Sequence, residues 1–197
     1  MDPLLLGTAS AFGLAAAAGL NTSLPLLMLG LAARFGLLTL IAPYDALASD
    51  VALVGLGVLA TGEFAADKIP GADTVVQVIQ GPLTLGAGAI LFASQQSLIQ
   101  DVSPGLAILV GLLTAGGVHS VRAVIRPAVN LATMGMGGPV SSLLEDIGAV
   151  IVTILAVVAP IIVVVLLLAA LVCLALAARP IARRVMARRR AFQTVAG

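Results

Sequence analysis

The sequence has 197 residues, of which 60% are hydrophobic and 10% charged, with a mean hydropathy of +1.18 and a formal net charge of +1. Soluble domains are about 25% charged, so this composition excludes a water-facing surface around the whole chain. Its apolar runs are continuous rather than alternating, which points to an all-α, polytopic transmembrane helical bundle and away from a β-barrel.

The opening "MDPLLLGTASAFG" has no basic stretch and runs straight into more apolar sequence, so no cleaved signal peptide is expected. The first segment extends from about Leu4 to Phe35 and stops near "RFG". Inside it lies "AAAAGLNTSLPLL", residues 15–27. Gly19, Asn21, Thr22, Ser23 and Pro25 have the composition of a helix end, placed halfway along a run long enough to span a bilayer. Gly19 permits a break, Asn21, Thr22 or Ser23 caps a new half-helix, and Pro25 suits its first turn. A break of this kind leaves free N–H donors and partial positive charge inside the bilayer. Lipid cannot satisfy those groups, so protein or a water-filled cavity must. The plainer alternative is a kink, with glycine serving only close helix packing.

After the polar connection "APYDALASD", a second run, Ala46 to Gly62, ends in "EFAADKIPGAD", and a third covers about Thr74 to Ala93. Glu63 and Asp67 are four residues apart and share a face if the helix continues through them. They are the candidate proton- or ion-coupling carboxylates, the alternative being solvated loop charges. "SQQSLIQDVSPG" is the longest polar stretch and the expected midpoint.

A fourth segment, about Pro104 to Thr133, contains "GGVHSV". A second break is expected at Gly116–Gly117, with Ser120 as cap and Arg122 and Arg126 on one face just inside it. With His119 nearby, the two arginines would hold a carboxylate or phosphate oxygen. The structural alternative is internal ion pairing with Glu63, Asp67, Glu145 or Asp146. Beyond "GMGGP", residues 147–178 carry no charge. One helix of that length would be about 48 Å long against a core of about 30 Å, so a division at Ala159–Pro160 is expected. This gives six spans, and a kinked single helix would give five.

The halves resemble each other. "AGLNTS" (18–23) matches "GGVHSV" (116–121), and "LASDVALVGLGVLATGEF" (47–64) lines up with "LLEDIGAVIVTILAVVAP" (143–160), placing Asp50 on Asp146. Duplication of three crossings implies an inverted repeat of three plus three segments, about 4–95 and 104–178, with a broken or re-entrant helix in each half. Residues 1–178 then form one transmembrane domain and 179–197 a basic tail. Arg179, Arg183, Arg184, Arg188, Arg189 and Arg190 are expected to keep that tail on the cytoplasmic side of the membrane, where it can also meet anionic lipid. The single Cys173 excludes an internal disulfide. His119 is the only histidine, and no cofactor fingerprint or hydrolase elbow occurs in a credible context. No metal, cofactor, nucleic-acid partner or enzymatic activity is expected.

"GLNTSLPLLMLGLAARFG" and "EFAADKIPGADTV" resemble a bacterial membrane-protein family known only as a domain of unknown function, number forty-one twenty-six. The resemblance implies a small integral membrane protein and singles out Asn21, Glu63, Asp67, Lys68, Pro70 and Asp73. It implies no activity. From the residues themselves, the expectation is a small transporter or channel-like permease, a homodimer, binding an anionic or polar solute between the two breaks. Arg122, Arg126 and His119 would contact the solute, Asn21, Thr22, Ser23 and Ser120 would cap or hydrogen-bond, and Glu63 or Asp67 would couple ions. The alternatives are a lipid or polyprenyl-phosphate translocase, a non-transporting scaffold that organises membrane lipids or a partner complex, and, weakest, an intramembrane enzyme using Glu63 and His119.

Overall fold

A computed structural model of the chain describes residues 2–66, 73–95, 99, 102–133 and 137–173. Among the described residues are seven α-helices and no strand: α1 (Pro3–Leu20), α2 (Ser23–Arg34), α3 (Asp50–Ala66), α4 (Asp73–Ala93), α5 (Pro104–Ala132), α6 (Gly137–Val158) and α7 (Pro160–Cys173). A short 3-10 turn, Tyr44–Ala48, precedes α3. Three stretches, Pro3–Leu20, Pro104–Pro127 and Gly137–Val158, are long and apolar enough to cross a membrane; Ser23–Arg34, Ile79–Ala93 and Pro160–Cys173 are shorter apolar helices. The described residues are those of a helical membrane protein. Met1–Val163 forms one compact unit and Val164–Gly197 a second, whose described residues continue α7 and include an exposed Cys173.

Local sequence explains the helix limits. Asp2 caps α1 by accepting from the Leu4 amide at 3.1 Å, with Pro3 in the first turn, where no N–H partner is needed. α2 stops at Gly36, whose φ of 72° suits glycine, and the Leu37 amide reaches back to the Ala32 carbonyl at 2.9 Å. Ser103 and Pro104 open α5 as Asp2 and Pro3 open α1.

α1 is the central element and packs against α4, α5 and α6. Its surface is paved with alanine: Ala11, Ala15, Ala17 and Ala18 are fully buried, as is Leu14. Small residues let backbones approach closely, which is how membrane helices gain packing energy without a hydrophobic driving force between them. A Cβ added at Gly19 would lie 2.5 Å from the Val118 Cβ and 2.8 Å from the Ala115 carbonyl, so α5 needs glycine there. Phe12 and Phe92 meet edge to face at 5.1 Å, beside a cluster of Ala11, Ala15, Ala93, Ile99 and Ala107. α3 is different: among its described side chains only Glu63 is buried.

Two reversals shape the bundle. Leu37–Leu40, just beyond α2, line the same cavity as Pro3, Leu6 and Ser10, so α2 folds back toward the start of α1. At Ala159–Pro160 the chain bends sharply. A Cβ at Gly13 would lie 2.8 Å from the Ala156 Cβ and 3.4 Å from the Val163 Cβ. A straight helix would separate those two residues by about 10 Å along its axis. The expected division at this proline therefore corresponds to a real bend.

The second expected break is absent. α5 runs unbroken from Pro104 to Ala132 through Gly116 and Gly117. Ser120 is exposed and its hydroxyl donates to the Gly116 carbonyl at 2.7 Å, so it caps nothing. Glycine inside a helix costs about 1 kcal/mol, far less than freeing backbone groups in lipid. Gly116 instead accommodates Leu85 of α4. Asp50 and Asp146, matched in the repeat alignment, also differ. Asp50 starts α3 in an exposed ion pair with Arg34 at 2.6 Å, whereas Asp146 is buried within α6. Asp67, Lys68, Pro70 and the tail 179–197 lie outside the described residues.

Candidate functional site

The gap between α1 and α2 organises a buried polar layer. Asn21 is extended (φ −144°, ψ 134°), ending α1 with its amide on the Ala17 carbonyl at 3.1 Å. Its side-chain oxygen accepts from the amides of Ser23 at 3.1 Å and Leu24 at 2.9 Å, so Asn21 caps α2. Thr22 makes no capping bond and instead pairs its hydroxyl with that of Thr84 in α4 at 2.7 Å. Pro25 falls in the first turn of α2, where a missing N–H costs nothing.

Two carboxylates close on this helix start. Glu63 accepts from the Ser23 hydroxyl at 2.5 Å and from the Ser23 amide at 3.3 Å. Asp146 accepts from the Asn21 amide nitrogen at 2.9 Å. Glu63, Ser23, Asn21 and Asp146 thus form a continuous hydrogen-bonded chain joining α3, the α1–α2 turn and α6. The donors that were expected to face an external anion already face internal oxygen atoms. A carboxylate at a helix start is favoured by the partial positive charge there.

The cationic side of the layer comes from α5. Val118 packs on Gly19, and Arg122 lies one turn beyond it. Arg122 and Arg126 are 8% and 1% exposed. Arg122 Nε lies 2.7 Å from Glu145 Oε2 and Arg126 Nη2 3.8 Å from the same oxygen. Of the partners named from sequence, Glu145 is therefore in ion-pair contact with both. His119 Nε2 would sit 3.8 Å from a Cβ on Gly81 of α4, and its Nδ1 is buried without a hydrogen-bond partner among the described residues. Thr84, His119 and Asp146 lie about half-way along α4, α5 and α6, so the layer crosses the middle of the bundle.

The turn thus brings together Asn21, Thr22, Ser23 and Glu63, while Arg122 and Arg126 share Glu145 and Ser120 stands outside on the exposed face of α5. Sequence reasoning missed Gln80 and Thr84. Their signal was present: two polar residues four apart within the apolar "VIQGPLTLG" belong on one helix face. Gln80 is 5% exposed, and its side-chain oxygen finds no donor among the described residues. Asp146 is read from sequence as a repeat match and as a candidate partner of the arginines, and its contact with Asn21 is not.

At another level of the bundle, a cavity of about 820 Å³ lies between the start of α1, residues 37–40, the end of α4 and the α6–α7 bend. Most of its lining is apolar, with Ser10, Ser94 and Gln95 as buried polar residues. Those three are linked, Ser10 Oγ donating to Gln95 Oε1 at 3.4 Å and Gln95 Nε2 to Ser94 Oγ at 3.2 Å. Ser94 and Gln95 begin the polar stretch expected to mark the midpoint of the chain.

No curated protein and no solved structure matches the chain. Residues 8–180 match the family described as Domain of unknown function (DUF4126), a stretch holding every residue of the polar layer. The chain belongs to that family.

Proposed function

We propose that the protein is a small membrane permease that moves an anionic or polar solute through the polar layer at the α1–α2 turn. The supporting observation is the burial of Arg122 and Arg126 beside Glu145, one and two turns beyond the point where α5 packs on Gly19. Charged side chains are expensive in hydrocarbon, and where they occur they mark solute and ion paths. Two guanidinium groups suit a carboxylate or phosphate oxygen, with Glu145 holding them in the empty state. In this reading α1 and α2 form a re-entrant hairpin, Glu63 couples an ion, and the arginine-rich tail lies on the cytoplasmic side of a bacterial membrane.

The test is solute efflux from liposomes containing the purified protein, across a panel of inorganic and organic anions. Arg122→Ala and Arg126→Ala should each reduce flux by about tenfold or more, the scale expected when one partner of a buried charge pair is removed. Undiminished flux in both variants would remove the site. The largely apolar cavity beside Ser10 and Gln95 favours a second reading, translocation of a lipid-like amphiphile. Rapid exchange of a labelled phospholipid between leaflets, without solute flux, would select it.

A further inference from the structure

We infer that the cavity beside Ser10 and Gln95 binds an aliphatic lipid alcohol, an uncharged amphiphile whose hydroxyl sits between those two side chains. At about 820 Å³ the cavity falls within the range of sites that enclose a small ligand, about 300–1,000 Å³. Its walls set the first condition on the occupant. No charged and no aromatic residue lines it among the described residues, and leucine, isoleucine, valine and proline supply most of the surface. A phosphate, carboxylate or ammonium group placed there would lose its water and gain no counter-ion, so a charged head is excluded. Walls without a ring suit a flexible chain better than a planar system that stacks.

The polar end of the cavity sets the second condition. Ser10, Ser94 and Gln95 are 5%, 1% and 8% exposed. They come from α1 and the end of α4, which run antiparallel, as the pairs Thr22–Thr84, Phe12–Phe92 and Ser10–Gln95 show. Ser10 spends its hydrogen on the Gln95 oxygen, Gln95 one amide hydrogen on Ser94, and Ser94 its hydrogen on the Leu91 carbonyl. This leaves the second Gln95 N–H without an acceptor and the Ser10 oxygen without a donor among the described residues. The two bonds of Gln95, at 3.4 and 3.2 Å, are longer than the usual distance of about 2.8–3.0 Å, so a better partner displaces them at little cost. A hydroxyl answers both groups, accepting from the Gln95 N–H and donating to the Ser10 oxygen. A ketone or ester carbonyl only accepts, and leaves Ser10 unanswered.

The third condition is the way in. Leu37, Val158 and Ile162 line the cavity and are also exposed on the outer apolar surface. Ser10 lies about 10 Å along α1 from Pro3, so the hydroxyl is held well inside the end of that helix. The aliphatic chain then runs outward between residues 37–40 and the α6–α7 bend, toward the surrounding lipid. Such occupancy requires no movement of solute or lipid across the membrane.

The experiment is photolabelling of the full chain in phosphatidylcholine nanodiscs, using hexadecanol that carries a mid-chain diazirine, with the label located by peptide mass spectrometry. Label should concentrate on residues 37–40 and 157–162, and excess farnesol or monoolein should reduce it about tenfold. Farnesyl phosphate and palmitate, which carry charged heads on similar chains, should compete at least about tenfold less well. Gln95→Leu and Ser10→Ala should each lower labelling about fivefold, the equivalent of one hydrogen bond. Ser10→Ala adds only a residue type that α1 already buries, so it covers the case in which Gln95→Leu fails to fold, and the competition series uses the unaltered chain. Label removed by farnesol alone or by monoolein alone upholds the site and identifies the kind of chain. Label spread evenly over the exposed apolar residues, or indifferent to both alcohols, overturns the inference, because the probe would then report lipid contact only. Equal competition by farnesyl phosphate overturns it too, and so does undiminished labelling of both variants. Site-specific labelling in a protein that moves neither solute nor phospholipid leaves the alcohol site standing and removes transport. Transport without site-specific labelling does the reverse.

Discussion

At Gly19–Ser23 one helix ends and another begins, whereas at Gly116–Ser120, built from similar residue types, α5 continues without interruption. Both stretches hold glycine followed by polar side chains, and both glycine sites lie against a neighbouring helix. The difference is in what the polar side chains can do for the backbone. Asn21 carries an acceptor and a donor: its oxygen serves two amides of α2 while its nitrogen reaches Asp146. Ser120 bonds back to the Gly116 carbonyl, a bond that leaves the helix intact. A break inside a membrane therefore needs more than glycine. It needs a side chain that replaces backbone partners, and an acid on another helix to hold that side chain.

This contrast can be broken by substitution, and the largest effect is expected at Asn21. Asn21→Leu removes the cap from two amides and takes a partner from Asp146, so unfolding in detergent should become easier by about 3 kcal/mol or more. A loss below about 0.5 kcal/mol would mean that the turn does not depend on this side chain. Next comes Gly19→Ala. Its Cβ would meet the Val118 Cβ and the Ala115 carbonyl, and crowding against backbone should cost about 2 kcal/mol. Ser23→Ala deprives Glu63 of its hydroxyl donor and should cost about 1 kcal/mol, while Ser120→Ala should stay within about 0.5 kcal/mol of the parent. One effect has the opposite sign. A Cβ at Gly117 meets nothing within 4 Å, so Gly117→Ala should stabilise α5 by about 0.5–1 kcal/mol. If Gly117→Ala proves as harmful as Gly19→Ala, the two stretches share a role that the fold does not reveal.

Much of this layer was legible in the residues before any coordinates. The break at Asn21 and the proline bend at 159–160 follow from the cost of polar groups in lipid, which local composition exposes, while composition leaves open whether Glu63 is a solvated loop charge and whether Arg122 meets a solute or an acid. Gln80 and Thr84 went unread because a single amide or hydroxyl in an apolar run carries no charge to draw notice. Their meaning depends on which helix they face. The second break was over-read for a related reason. Gly116 and Gly117 signal either a break or a close approach, and only the position of Leu85 in α4 decides for the latter. Glu145 and Asp146 are neighbours in sequence, yet one serves α5 and the other the α1–α2 turn. Which helix each acid reaches is set by helix rotation, which one-dimensional spacing leaves open.

The paving of α1 has a consequence for how the family can diverge. Of the eleven α1 residues buried in the bundle, all but Leu14 are glycine, alanine or serine, while α3 buries Glu63 alone among its seventeen. Related chains should therefore hold small residues along α1 almost without exception and let α3 drift freely among Val, Leu, Ile and Phe. The acid at position 63 should be the one fixed letter of that drifting helix. A set of relatives in which α1 accepts bulk, or in which position 63 wanders with the rest of α3, would belong to a bundle assembled on different terms.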